Sequence, residues 1–116
     1  MALPERILRV NELLRQHLNQ IILTEIDFPE GCLVTIIAVE TSKDLRYAKF
    51  FVGVIPDEKT GKVLEILNKN IGHLQHLLNK KLSIKPLPRI SFVLDETERK
   101  ASDSERLLDR IKGEAG

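Results

Sequence analysis

Two apolar segments joined by a short polar turn constrain the fold of this chain more than any other feature. The first, residues 33–39, is a nearly continuous apolar run rich in β-branched residues, which is typical of a well-buried strand. A polar turn at residues 41–44 follows, and from Leu45 to Ile55 apolar residues recur with period two, which predicts a second strand with one face in the core. Its predicted buried residues are Ala48, Phe50, Val52 and Val54, and its outward residues are Tyr47, Lys49 and Phe51. A β-hairpin therefore lies at the centre of the predicted fold.

Helical periodicity is found on both sides of this hairpin. Apolar residues recur at spacings of three and four after Pro4, which predicts an amphipathic helix over about residues 4–24. A second apolar stripe predicts two further helices, roughly residues 60–70 and 72–82. We predict that they join at Asn70-Ile71-Gly72, with Gly72 as the kink residue, because a glycine inside a helix costs about 1 kcal/mol relative to alanine and often marks a bend.

A third strand and a last helix complete the predicted order of elements. Residues 90–94 alternate again, and apolar residues after Thr97 recur at helical spacing, with fraying expected over residues 113–116. A length of 116 residues is typical of one domain. The sequence thus predicts a single α+β domain over residues 1–116, with a small sheet covered by helices.

Composition and motifs argue against several classes of protein. A single cysteine, Cys32, excludes an intrachain disulfide and a cysteine-based metal site. Neither an apolar run of membrane-spanning length nor a secretory signal pattern is seen, so we expect a cytoplasmic protein without a membrane partner. Ser42 and Asp44 lie in the predicted turn without a histidine motif, and glycine-rich phosphate loops are lacking. We therefore expect no enzymatic activity and no cofactor.

Positive charge is concentrated in one part of the chain. Residues 59–89 hold seven basic residues and one acidic residue, whereas the segments before and after them are net acidic. Such a basic surface binds phosphates by releasing their counterions, so the sequence favours RNA or DNA as a partner over a merely solvated face. The absence of a base-reading motif favours recognition of shape and backbone.

The candidate RNA-binding residues form three groups. The basic segment contributes Lys62, Lys69, Lys80, Lys81, Lys85 and Arg89. The secondary candidates are Arg9, Arg15, Lys43, Arg46 and Lys49. The polar candidates near the kink are Asn70, His73 and His76. The two histidines have helical spacing, but no further ligands stand at a recognisable spacing, so we expect no metal site. Ordinary surface histidines are the alternative, as is a solvated helix face for the two N-terminal arginines.

The segment from Val39 to Lys49, V-E-T-S-K-D-L-R-Y-A-K, resembles the V-x-x-S-x-D-L-x-x-A-K signature of the ribosome-binding factor A family. The similarity extends over about residues 7–111 and includes Pro88 to Phe92, which is similar to the family's P-E-L-x-F strand. The resemblance implies a type II K homology-like domain, ordered α-β-β-α-kink-α-β plus a C-terminal helix, with a three-stranded sheet packed on helices. It also implies a non-enzymatic factor that binds the small (30S) ribosomal subunit and assists late maturation of 16S rRNA, including its 5′ end.

The chain departs from the family pattern around the kink and the last strand. Asn70 stands in place of alanine, His73 in place of phenylalanine and Gln75 in place of arginine, while Arg89 replaces glutamate. The family's R-L-R becomes Ser83-Ile84-Lys85, so positive charge is lost at Gln75 and Ser83, kept at Lys85 and gained at Arg89. Two alternatives stay open: a K homology-like module acting on a non-ribosomal RNA, and a protein adaptor that uses the face with Tyr47. Nothing in the sequence requires more than a monomer.

Overall fold

Three helices and three strands follow one another in the order that the hydrophobic pattern predicts. A computed structural model describes residues 4–83 and 87–95. The elements are α1 (Glu5–Glu25), β1 (Leu33–Thr41), β2 (Tyr47–Ile55), a 3-10 turn (Asp57–Lys59), α2 (Thr60–Lys69), α3 (Ile71–Lys81) and β3 (Arg89–Leu94). The α+β class is confirmed. The predicted C-terminal helix and the candidate Lys85 lie outside the described residues.

The three strands form one mixed sheet in the order β1-β2-β3. β1 and β2 pair antiparallel, with a bulge between Ile36 and Ala38, as expected of a hairpin. β2 and β3 pair parallel, so that Tyr47 lies opposite Arg89 and Phe50 opposite Phe92. The parallel pairing requires a crossover connection, which α2 and α3 supply. It brings residues more than 40 positions apart in sequence onto adjacent strands.

All buried residues of the sheet lie on one face. On β2 these are Ala48, Phe50, Val52 and Val54, which confirms the predicted alternation. The rings of Phe50 and Phe92 lie 6.1 Å apart between centroids, in a tilted arrangement that suits aromatic pairs. The helices cover this face with their apolar stripes, whose fully buried members include Leu14 and Leu18 of α1. The opposite face of the sheet is left open within the described residues.

Two side-chain amides attach helices to the outer edges of the sheet. Asn19 of α1 donates to the carbonyl oxygen of Ile36 at 3.0 Å and accepts from the amide nitrogen of the same residue at 2.8 Å. Gln75 of α3 donates to the carbonyl oxygen of Pro88 at 3.1 Å and accepts from the amide nitrogen of Ile90 at 2.9 Å. Since edge strands present unpaired backbone groups, each amide replaces part of a missing neighbouring strand.

The break between α2 and α3 falls at Asn70, not at Gly72. The backbone of Asn70 has φ −102° and ψ 9°, and its side-chain nitrogen donates to the carbonyl oxygen of Ile66 at 2.8 Å. Gly72 is the second residue of α3, does not adopt a positive φ, and has open space where a Cβ would stand. The break thus lies within the predicted join at residues 70–72, and only the assignment of the kink to Gly72 itself is corrected. Asparagine can end a helix because its amide competes for backbone hydrogen bonds.

Candidate nucleic-acid interface

The turn between β1 and β2 is held by the side chains of Ser42 and Asp44. Ser42 Oγ donates to Asp44 Oδ1 at 2.6 Å and accepts from the amide nitrogens of Arg46 and Tyr47, each at 3.1 Å. The hydrogen bond from Ser42, followed by that from the Arg46 amide, lowers the pKa of Asp44 below its ordinary value of 3.8. This network explains the serine and aspartate of the signature as turn residues, in agreement with the sequence prediction.

Leu45 completes this turn with a positive φ of 59°, which is uncommon for a residue other than glycine. Its side chain packs against the hydrophobic core, so apolar burial offsets the cost of the left-handed conformation. The turn therefore fixes where β2 begins, and with it the positions of Arg46 and Tyr47. Arg46 Nε lies 3.7 Å from Asp44 Oδ2, in an exposed pair.

Parallel pairing places Arg89 beside the start of β2. The amide nitrogen of Arg89 donates to the carbonyl oxygen of Arg46 at 2.8 Å, and Arg89 is opposite Tyr47 in the strand register. Lys49 follows two positions further along β2 on the same open face, opposite Ser91. The structure thus places Arg89 beside Arg46 and Lys49, which precede it in the sequence by 43 and 40 positions. We call Arg46, Tyr47, Lys49 and Arg89 the strand-end cluster.

The end of α3 adds two more lysines near this cluster. Gln75 binds the residues on either side of Arg89, and Lys80 and Lys81 follow it by five and six positions on the same helix. At a rise of about 1.5 Å per residue, these lysines lie about 8–9 Å further along the helix axis. Both are exposed, and neither has an ion pair with any described residue. Their place in the last turn also suits the helix dipole.

The remaining lysine candidates lie in the turn and on α2. Lys43 is exposed within the Ser42–Asp44 turn, and Lys69 is exposed in the last turn of α2. Lys62 is exposed near the start of α2, where its Nζ lies 4.0 Å from Glu65 Oε2. α2 follows the end of β2 that is remote from the strand-end cluster. Lys62 is thus not brought to the cluster by any described contact.

The two N-terminal arginines form ion pairs along α1. Arg9 Nη2 lies 2.9 Å from Glu5 Oε1, and Arg15 binds Glu12 through two nitrogens, at 2.5 and 3.0 Å. The hydrogen bonds from Arg15, and then from Gln16, lower the pKa of Glu12 from 4.5 to about 2. Paired with a carboxylate three or four residues away, these arginines fit the solvated helix face that the sequence left as an alternative.

Two of the three polar candidates near the break have partners within the fold. The amide of Asn70 is used by the hydrogen bond to Ile66, so its donor already has an acceptor. His73 Nε2 lies 3.6 Å from Glu25 Oε2 at the end of α1, whereas His76 is exposed on α3. Within residues 4–83 and 87–95 no group of three or more histidine, cysteine or carboxylate side chains is placed to hold a metal ion.

Sequence reasoning missed the role of Gln75. Its substitution for arginine was interpreted only as a lost positive charge, but its amide bridges α3 to the start of β3. The only sequence signal was the position of this glutamine beside the buried stripe of α3, one residue after Leu74 and three before Leu78.

A membrane-spanning segment is not found among the helices of residues 4–83 and 87–95, since none of them combines the necessary length and apolar character.

Comparison with known proteins gives consistent matches. A family model described as ribosome-binding factor A matches residues 6–108. The chain is 35% identical over 111 residues to ribosome-binding factor A of Pseudomonas aeruginosa, covering 93% of this chain and 86% of that protein. It is 36% identical over 103 residues to the Akkermansia muciniphila protein of the same name, covering 89% and 82%.

Solved structures show the same fold. The crystal structure of ribosome-binding factor A from Thermus thermophilus matches with a TM-score of 0.66 at 24% identity, covering 76% of this chain and 94% of that one. A homology model of the Thermus thermophilus factor, fitted into a cryo-electron microscopy map of its complex with the 30S subunit, matches with a TM-score of 0.61 at 25% identity. That match covers 72% of this chain and 88% of the other.

Proposed function

The chain belongs to the ribosome-binding factor A family, and from this premise we propose that it binds the small (30S) ribosomal subunit and assists late maturation of 16S rRNA, including its 5′ end. The observation that carries the proposal is the family match over residues 6–108. The relative from Thermus thermophilus, fitted into a map of a 30S complex, supports the choice of partner. We propose a binding role in the cytoplasm, without catalysis.

Charge chemistry supports rRNA as the ligand. The strand-end cluster, the end of α3 and the β1–β2 turn present exposed cations, of which Lys43, Lys49 and Arg89 have no ion pair with a described residue. Phosphates release counterions when such groups neutralise them, which makes binding strong at low salt and weak at high salt. We propose that these cations, with Lys80 and Lys81, contact the rRNA backbone, and that Lys62 and Lys69 extend the surface along α2.

Sedimentation tests the partner. Tagged protein in a lysate should co-migrate with free 30S subunits, be absent from intact ribosomes, and leave the subunits in high salt. Accumulation of unprocessed 16S rRNA in cells that lack the protein is the expected result for the maturation role. Migration only at the top of the gradient would contradict subunit binding and would favour the alternative of a non-ribosomal RNA, which binding to isolated single-stranded RNA would then reveal.

Charge-removing variants test the surface. Lys80→Ala and Lys81→Ala should each reduce the slope of log affinity for 30S subunits against log salt by about 0.7–0.9, which is one phosphate contact. The control is Arg6→Ala, because Arg6 is an exposed cation in the first turn of α1 and is not among the proposed contacts. An equal change of slope in all three variants would show that only net charge matters, and would refute the proposed location.

A further inference from the structure

The open face of the sheet presents an aromatic side chain between two cations. Tyr47 is 59% exposed, although aromatic residues are usually well covered. Arg89 lies directly opposite it on β3, and Lys49 lies two positions along β2 on the same face. Adjacent strands are about 4.8 Å apart and alternate residues of one strand about 6.8 Å apart, so both cations are within reach of a group resting on the Tyr47 ring.

The rest of this face continues the pattern. Phe51 is half-buried four residues beyond Tyr47, about 13 Å along β2, and lies in register with Ala38 and Val93. Among the described strands, Glu40 is the only acidic residue on this face. It lies opposite Lys49, and no ion pair joins these two side chains. The face therefore combines apolar platforms with a net positive charge.

We propose that this open face binds single-stranded RNA, with one base stacked on the ring of Tyr47 and the neighbouring phosphates held by Lys49 and Arg89. Aromatic platforms flanked by cations are suited to this ligand, because every base has a π-face and every nucleotide carries a phosphate. A duplex cannot bind in this way, since its bases are stacked on one another. The proposal rests on the proposed function and specifies the form of RNA that it contacts at this face.

Tyr47 provides its own probe. The chain has one tyrosine and no tryptophan, so its intrinsic tyrosine fluorescence reports on Tyr47 alone. Titration of the full chain with a single-stranded oligouridylate of about eight nucleotides, within the usual site size for such ligands, should quench this fluorescence to saturation. A stable duplex of about twelve base pairs, added at the same total phosphate concentration and corrected for its own ultraviolet absorption, controls for charge and should leave the corrected fluorescence unchanged.

Two substitutions of Tyr47 separate the contribution of its ring from that of its hydroxyl group. Loss of the ring in Tyr47→Ala should weaken binding of the labelled oligouridylate, measured by anisotropy, by about 5- to 100-fold, whereas Tyr47→Phe keeps a ring and should bind within about twofold of the original. The exposed position of Tyr47 means that circular dichroism should be unchanged in both.

A charge variant tests the same face independently. Glu40→Gln removes a repulsive carboxylate beside Lys49 and should tighten oligouridylate binding. The matched control Glu30→Gln removes an exposed carboxylate in the loop before β1 and should have a smaller effect. Equal effects of the two variants would refute a ligand on the open face.

The outcomes distinguish this proposal from the proposed function. If the original protein binds 30S subunits and Tyr47→Ala binds both subunits and oligouridylate equally well, the stacking proposal fails and subunit binding stands. If quenching by duplex equals quenching by single strand after correction, single-strand recognition fails. If the face binds a protein instead, subunit binding lost in Tyr47→Ala with unaltered oligouridylate binding would reveal it and overturn the proposal.

Discussion

Replacing Gln75 with alanine should lower the free energy of unfolding by about 1–3 kcal/mol. The substitution removes two hydrogen bonds to the sheet edge, to Pro88 and Ile90, and each contributes about 0.5–1.5 kcal/mol net. It also removes an exposed bond to Asn79 within α3, which the exposed bond of Gln16 to Glu12 matches in the control described below. The amide of Ile90 is left without this partner in a part-buried position, so the cost lies in the upper part of this range if water does not replace the glutamine. A typical exposed substitution costs within about 0.5 kcal/mol, so the effect is distinguishable.

Urea denaturation is the appropriate assay, with Gln16→Ala as the matched control. Gln16 is an exposed glutamine of α1 whose amide bonds only to Glu12 among the described residues, at 3.1 Å. Both variants make the same change in helix propensity, so the difference between their unfolding free energies isolates the contacts with β3. A difference below about 0.5 kcal/mol would refute the bridging role of Gln75.

The same variant carries a functional consequence. Gln75 binds the residues on both sides of Arg89, so its loss should loosen the start of β3 and the position of the Arg89 side chain. We expect weaker binding to 30S subunits under conditions in which the variant is still folded. Loss of stability with unchanged binding would show that Arg89 does not depend on this bridge, or does not contact RNA.

Four further predictions follow from individual contacts. Asn19→Ala should cost about 2 kcal/mol in urea unfolding and add to Gln75→Ala within about 0.5 kcal/mol, because the two amides bind opposite edges of the sheet. Gly72→Ala should raise the melting temperature, with a gain of up to about 1 kcal/mol, because the site is helical and open. Ser42→Ala should cost about 1–2 kcal/mol through the turn. Because folding lowers the pKa of Asp44, its ionised carboxylate contributes to the free energy of unfolding above about pH 3.8, and this contribution is lost as the pH falls below that value. When the free energy of unfolding is measured against pH, Asp44→Asn should lack this dependence.

Each of these has a contrary result. Strong coupling of the two amide variants would mean that the edges of the sheet are not independent. Destabilisation by Gly72→Ala would show that α3 requires glycine there, and unchanged stability with weaker subunit binding would instead indicate a close approach of RNA. If Asp44→Asn and the original protein showed the same dependence of unfolding free energy on pH, the Asp44 carboxylate would not be its cause.

The hydrophobic pattern determined most of the local structure. A continuous apolar run located β1, alternation with period two located β2, and the period of 3.6 located α1, α2 and α3 to within one or two residues. These predictions succeed because burial of one face depends only on neighbouring positions. The rule that a glycine inside a helix marks a bend pointed to Gly72, but the helix break lies two residues earlier, at Asn70.

Charge in the sequence indicated an anionic partner, and the signature from Val39 to Lys49 indicated the family, but neither showed how the cations are arranged. Arg9 and Arg15 were candidates by charge, and only the structure shows that carboxylates one turn away engage them. Parallel pairing of β2 with β3 places Arg89 beside Tyr47, and the Gln75 amide fixes the start of β3. Such contacts join distant positions through hydrogen bonds that have no sequence period, so only the tertiary structure could decide them.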